Sequence, residues 1–208
     1  MMKWFDNIYV INLDSRKDRL ERVTREFERI GCSFERFPAV DGDTNEVVYV
    51  PNDAIPGWNK NSAALLETTI RIIKDAQRKA YNCILICEDD VFFSTDAKER
   101  LDALRLPDMA SWDMFFFGVM HIFNPQVMNK DIVRLTRSMC CHCYAIQSRV
   151  YEDYIQLLEM RDRPIDWITT DFFQIHGRCL AVREPLAFQK PDYSNIRKKH
   201  VCTPVSVG

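Results

Sequence analysis

Hydrophobic positions divide the chain into short apolar runs that alternate with one-sided stripes. Ile8-Tyr9-Val10-Ile11-Asn12-Leu13 is apolar at nearly every position over the length of one strand. A strand apolar on both faces belongs inside a sheet covered on both sides. Leu20, Val23, Phe27 and Ile30 then recur at spacings of three, four and three among charged residues, which predicts one amphipathic helix. Ser15 with Asp18 predicts its capping box and Gly31 its stop. Phe34-Glu35-Arg36-Phe37 reads as a short second strand leading into Ala39-Val40-Asp41-Gly42. Residues 47–58, with two prolines and a glycine, read as an irregular loop.

Asn61 or Ser62 is expected to cap a second helix with its stripe at Leu65, Leu66, Ile70, Ile73 and Ala76. The run Cys83-Ile84-Leu85-Ile86-Cys87 predicts a buried strand that ends in Glu88-Asp89-Asp90. Beyond it the pattern predicts a helix near 97–104, strands at 114–118 and 142–147, and a helix capped by Ser148 and running to Met160. Ile168, Phe172 and Ile175 have helical spacing within 166–176, and Gly177 suits the end of that segment. Cys179–Val182 makes a last strand before a proline-broken tail at 185–208. No repeat, low-complexity stretch or linker divides the sequence. The expectation is one α/β domain over residues 1–208, with a mostly parallel central sheet flanked by helices.

Composition narrows the class. The chain has 208 residues, 47% of them hydrophobic and 28% charged, the mix of an ordinary globular domain. No apolar run approaches the ~20 residues of a transmembrane helix. With 28 basic and 30 acidic residues the net charge is −2, so no global field attracts nucleic acid or an anionic membrane. The amino end shows no long apolar segment and no small-residue cleavage site, which argues against secretion. Eight cysteines are scattered, several within apolar runs, and read as reduced buried thiols. A cytoplasmic address is the expectation.

Glu88-Asp89-Asp90 is the most informative feature. Three adjacent carboxylates behind a buried strand disfavour one another's ionisation unless a cation or donor compensates. A hard divalent cation prefers oxygen ligands and does so directly. Ligands of open α/β sheets sit outside the carboxyl ends of the strands, where this cluster falls. The bland alternative has one carboxylate capping the next helix and the others solvated. Phosphatases with an aspartyl nucleophile need Asp where Glu88 stands, and receiver domains carry their acidic pair near the first strand. Cys140-Cys141-His142-Cys143 invites a zinc reading, but adjacent strand residues face opposite ways and the usual C-x₂-C spacing is missing.

Six segments, in order and spacing, resemble glycosyltransferase family 25, the lipopolysaccharide-biosynthesis and procollagen-galactosyltransferase-like group. They are Ile8–Asp14 with Arg16 and Arg19; Phe37–Gly42; Cys83–Phe93; His142–Ile146; Pro164-Ile165-Asp166; and Gln189–Ile196. The resemblance implies a GT-A fold, a nucleotide-sugar donor such as a UDP-sugar, a saccharide or glycoconjugate acceptor, and Mn²⁺ or Mg²⁺ held by the acidic motif. One segment departs. Where the family usually has Gly-Cys-x-Leu-Ser-His, this chain has Ser62-Ala63-Ala64-Leu65-Leu66-Glu67, without the Ser and His. That departure motivates a second hypothesis, a catalytically inactive binding or scaffolding module. A nucleotidyl or phosphoryl transferase would need a phosphate-cradling glycine loop, and no G-x-x-x-x-G-K is present.

On the leading hypothesis a bound metal stabilises the departing nucleoside diphosphate as a Lewis acid. Asp90 is the expected direct ligand, Glu88 a second or water-mediated one, and His142 or His200 a third. Asn12, Arg16, Arg19, Asp41, Gly42, Glu88 and Asp89 are the expected donor-binding residues. For Asp41-Gly42 an ordinary turn is the alternative, for Arg16 and Arg19 a solvated surface, and for His142 a strand-end histidine satisfied by backbone. Inverting hexosyl transfer needs a carboxylate base, for which Asp166 and Asp171 are the candidates. On one helix they would stand about 140° apart, so they cannot serve one site together.

Overall fold

The computed structural model describes residues 4–44 and 47–190, with the backbone of 192–194 and 199–201. Its centre is an eight-stranded sheet in the order β2-β1-β3-β10-β5-β11-β8-β7. These are β1 (Asn7–Asn12), β2 (Glu35–Pro38), β3 (Cys83–Glu88), β5 (Met114–Phe116), β7 (Gln126–Val127), β8 (Ile132–Arg134), β10 (Cys143–Gln147) and β11 (Cys179–Val182). Beside it lie three two-stranded pairs: β4 (Val91–Phe93) with β12 (Ala187–Gln189), β6 (Met120–Phe123) with β9 (Arg137–Met139), and β13 (Asp192–Ser194) with β14 (Lys199–Val201).

The α/β architecture is as expected, and the sheet is mixed. β1 pairs in parallel with β2 and β3, and β11 with β5, while β10 and β8 run against their neighbours. Alternation along β1 explains the two-sided covering: Tyr9 and Ile11 join one core, Ile8 and Val10 the other. The first core is closed by α2 (Lys60–Arg78), α4 (Tyr151–Glu159) and α5 (Ile165–Ile168), and the second by α1 (Lys17–Arg29) and α3 (Ala97–Ala103).

Local details depart from the pattern where side chains had other partners. Arg16, not Ser15, is the N-cap of α1, and it makes no cap bond because a guanidinium has no acceptor; it pairs with Asp18 instead. Asn59, not Asn61 or Ser62, caps α2 by accepting from the backbone N–H of both those residues. Ser148 opens a 3-10 turn without a side-chain cap. The 166–176 segment is not one helix: after α5 it widens into a π-turn over Thr169–Phe173 and then a 3-10 turn, ending at Gly177 with φ +69°. Residues 47–58 contain no helix or strand, as expected. The tail begins as strand: β12 pairs with β4, and Lys190 N–H donates to the Asp90 carbonyl at 2.9 Å.

Candidate functional site

The acidic triplet stands at the carboxyl end of the interior strand β3 and walls a cavity of about 370 Å³. The opposite walls come from the entry to α1, the β2–α2 loop and the first turns of α2. The cavity brings together Arg16, Arg19, Asp41, Gly42, Glu88, Asp89 and Asp90, all expected from sequence. These positions span 75 residues of chain, and the parallel register of β1 with β3, Ile11 opposite Glu88, is what joins them.

Asp89 is the anchor of the cluster. It is 7% exposed, and its two oxygens are both engaged: Oδ1 accepts from Arg19 Nη1 at 2.7 Å, Oδ2 from Asn12 Nδ2 at 2.7 Å. Asn12 in turn accepts from Arg36 Nε at 2.9 Å and donates to the Arg16 carbonyl. Asn12 is buried, lies outside the cavity lining and holds Asp89 in place. The hydrogen-bonded pair removes the penalty that a buried carboxylate would otherwise carry.

Asp90 is set differently. Arg19 Nη1 lies 3.6 Å from its Oδ2, while its buried Oδ1 has no hydrogen-bond partner among the described residues. Burial raises its carboxyl to about 6 against the pull of Arg19 and of the Gln189 side chain. Glu88 is pushed well above the usual carboxylate range by burial and then by the charges of Asp90, Asp166 and Asp89. Two carboxyl groups that resist ionisation, one with an orphaned oxygen, form a site with a deficit of positive charge. Oxygen donors of this kind fit a hard divalent ion. Among the described residues, no three His, Cys, Asp or Glu side chains are grouped to hold a metal by themselves.

The remaining candidates divide. Asp41 forms an ordinary turn, its Oδ1 accepting from Asp43 N–H at 2.9 Å, and it still lines the cavity. His142 is buried with Nε2 3.1 Å from the Ala187 carbonyl oxygen, and burial lowers it to about 4. It is thus turned to β12 and absent from the cavity wall, bonded to backbone through Nε2 alone, while its buried Nδ1 has no hydrogen-bond partner among the described residues. Its cysteine neighbours also disperse: Cys141 Sγ contacts Thr169 Oγ1 at 3.2 Å, and Cys143 Sγ lies 3.4 Å from Cys87 Sγ. Asp171 lies between Arg137 at 3.4 Å and Arg163 at 3.2 Å. Asp166 accepts from Cys141 N–H at 2.9 Å and is close enough to Glu88 to raise it. The side chain of His200 lies outside the described residues.

Sequence reasoning did not single out Arg36 or Thr68. Arg36 lies in the short strand Glu-Arg-Phe-Pro and sits opposite Val10. Thr68 Oγ1 accepts from Val40 N–H at 2.9 Å and so pins the loop that carries Asp41 to α2. Glu67, where the family has His, faces away from the cavity and pairs with Arg71 at 2.9 Å and with Arg161.

The fold is that of a GT-A-like glycosyltransferase. A crystal structure of a glycosyltransferase involved in the glycosylation of the major capsid of PBCV-1 aligns with a TM-score of 0.51, covering 92% of this chain and 96% of that one at 13% identity. Residues 5–169 match the model of Glycosyltransferase family 25 (LPS biosynthesis protein), and the chain belongs to that family. A glycosyltransferase 25 family member of Drosophila melanogaster is 29% identical over 145 residues, 61% of this chain and 23% of that protein. A Homo sapiens relative, 26% identical over 59% of this chain and 23% of its own length, is named inactive glycosyltransferase 25 family member 3. The chain spans about a quarter of the length of these relatives.

Proposed function

We propose that the chain is a metal-dependent glycosyltransferase that moves a hexose, galactose or glucose, from a UDP-sugar to a hydroxyl of a saccharide or glycoconjugate with inversion. The observation that carries this reading is the orphaned, buried Oδ1 of Asp90 beside Glu88 on the wall of a 370 Å³ cavity. Glu88 and Asp90 would hold Mn²⁺ or Mg²⁺, which when bound stabilises the negative charge of the departing diphosphate. Arg16 and Arg19, already paired with Asp18 and Asp89, supply cationic wall at the entry to α1 that would face a diphosphate. Asp41 and Gly42, which line the same cavity, would border the nucleoside. Asp166 is the favoured base for the acceptor hydroxyl, since Asp171 is already engaged by two arginines.

Titration with UDP, with and without Mn²⁺, tests the reading. Tight binding that needs the metal, lost in Asp90→Ala, is the expected result. A native chain that binds UDP no better with the metal overturns it.

A second reading, a binding module without catalysis, is supported by one observation. Glu67 stands where the family has His and is committed to two arginines. Turnover of any UDP-sugar by the purified chain decides against that version.

A further inference from the structure

One long hairpin follows β5: its β6–β9 half stands apart from the central sheet, and its β7–β8 half forms the last two strands of that sheet. β6 and β7 form its outer strand, bent at Asn124-Pro125, and β8 and β9 its inner strand. It begins just after β5, which runs in the direction of β3, both being antiparallel to β10. The hairpin therefore starts at the end of the sheet that carries Glu88.

Its outer strand is apolar and open to solvent. Met120, Ile122, Phe123, Val127 and Met128 are each between 43% and 60% exposed. Scattered exposed hydrophobics need no explanation, but five within nine positions of one hairpin strand form a patch, and such patches mark interaction sites. The outer strand is poorly suited to pairing with another strand. Pro125 interrupts its row of N–H donors and coincides with the bend.

Charge on the hairpin points to the partner. Lys130, with a side chain 89% exposed, stands at the tip, and Arg134 and Arg137 follow on the inner strand. Facing them are Asp131, 4.0 Å from Lys130, and Asp171, 3.4 Å from Arg137 and shared with Arg163. His121 is bonded to Ser138 at 2.8 Å, and burial lowers its pKa. The hairpin's own charges thus sum to positive. Apolar side chains next to cations match the interface of an anionic bilayer, where the first enter among the acyl boundary and the second meet phosphate.

We propose that the β6–β9 hairpin docks on the surface of an anionic lipid bilayer, with Ile122, Phe123, Val127 and Met128 inserted and Lys130 on the headgroups. No helix among the described residues is long and apolar enough to cross a membrane, so this contact is peripheral. The inference is independent of sugar transfer and holds for either reading of the cavity.

Flotation of the full chain with phosphatidylcholine vesicles, and with vesicles also containing phosphatidylglycerol, tests it. The chain is expected to float with the anionic vesicles, less so as salt rises. The double variant Ile122→Ser, Phe123→Ser should lower partitioning by about tenfold. Lys130→Glu should lower it by about fivefold or more. Both changes sit at exposed positions, so circular dichroism and melting should match the native chain. Variants that partition like the native chain, or a native chain that floats with neither vesicle, overturn the proposal. Self-association that the double variant abolishes, without vesicle binding, assigns the patch to a second copy and overturns it as well.

Discussion

Asn12 and Asp89 lie 77 positions apart in the chain and meet at 2.7 Å, amide to carboxylate, behind the cavity wall. With Arg19 on the other oxygen, the bond fixes the middle carboxylate of the triplet and leaves its two neighbours to face the cavity. The three acidic residues therefore have unequal roles.

Asp89→Ala is expected to cost about 3 kcal/mol or more, because it strands a buried guanidinium and an amide. Urea unfolding of the two chains measures it. A cost below about 1 kcal/mol would show that Arg19 finds equal compensation from Asp90.

Asp90→Asn should behave in the opposite way. Removing a charge that burial opposes, from an oxygen with no partner, leaves stability unchanged or raises it by about 1 kcal/mol. The same variant is expected to lose metal-dependent UDP binding. Parallel thermal melts and titrations separate the two effects.

Tyr9 offers a test of linkage away from the cavity. Its hydroxyl donates to Asp75 Oδ2 at 2.6 Å, and burial, reinforced by Asp75, raises it to about 12. An acid whose folded pKa is raised contributes stability below the unfolded value near 10 and loses it as pH rises toward 12. Between pH 9 and 11.5 the native chain should lose roughly 2 kcal/mol more than Tyr9→Phe, as read from urea midpoints.

Gly118→Ala should be severely destabilising. A Cβ there would run into the carbonyl of Ala187 and the ring of His142, and the first contact is backbone. The crossing is pinned by Leu186 and Ala187 N–H groups donating to the Phe117 carbonyl at 2.8 and 2.9 Å. A loss of about 4 kcal/mol or failure to accumulate as folded protein is expected. Gly118→Ser with near-native melting would show that the strands can part.

What could be read from sequence follows from where burial repeats. Ile8–Leu13 and Cys83–Cys87 are buried on both faces, so their apolar runs announced central strands and placed Glu88–Asp90 at a strand end. β6 was not legible because all four of its residues are exposed, which leaves no alternation to detect. The caps misled for a different reason: Asn59, Asn61 and Ser62 are all competent, and the choice depends on the path of the loop before them. Membership of Asp41 and Arg19 in one cavity was legible through the family resemblance. Their division of labour was not, since the engagement of Asp89 by Asn12 and Arg36's hold on Asn12 exist only once β1, β2 and β3 are in register.

The reversal of β10 has a consequence for how this molecule can diverge. Because β10 runs against β3 and β5, it starts at the rim where those two strands finish. Changes in the chain entering β10, or in the Asp166 turn bonded to it, can reshape that rim while the Asn12–Arg19–Asp89 bonding stays intact. The bonding that fixes the acidic triplet and the shape of the rim beside it are thus separable inheritances, and a lineage can trade the second without forfeiting the first.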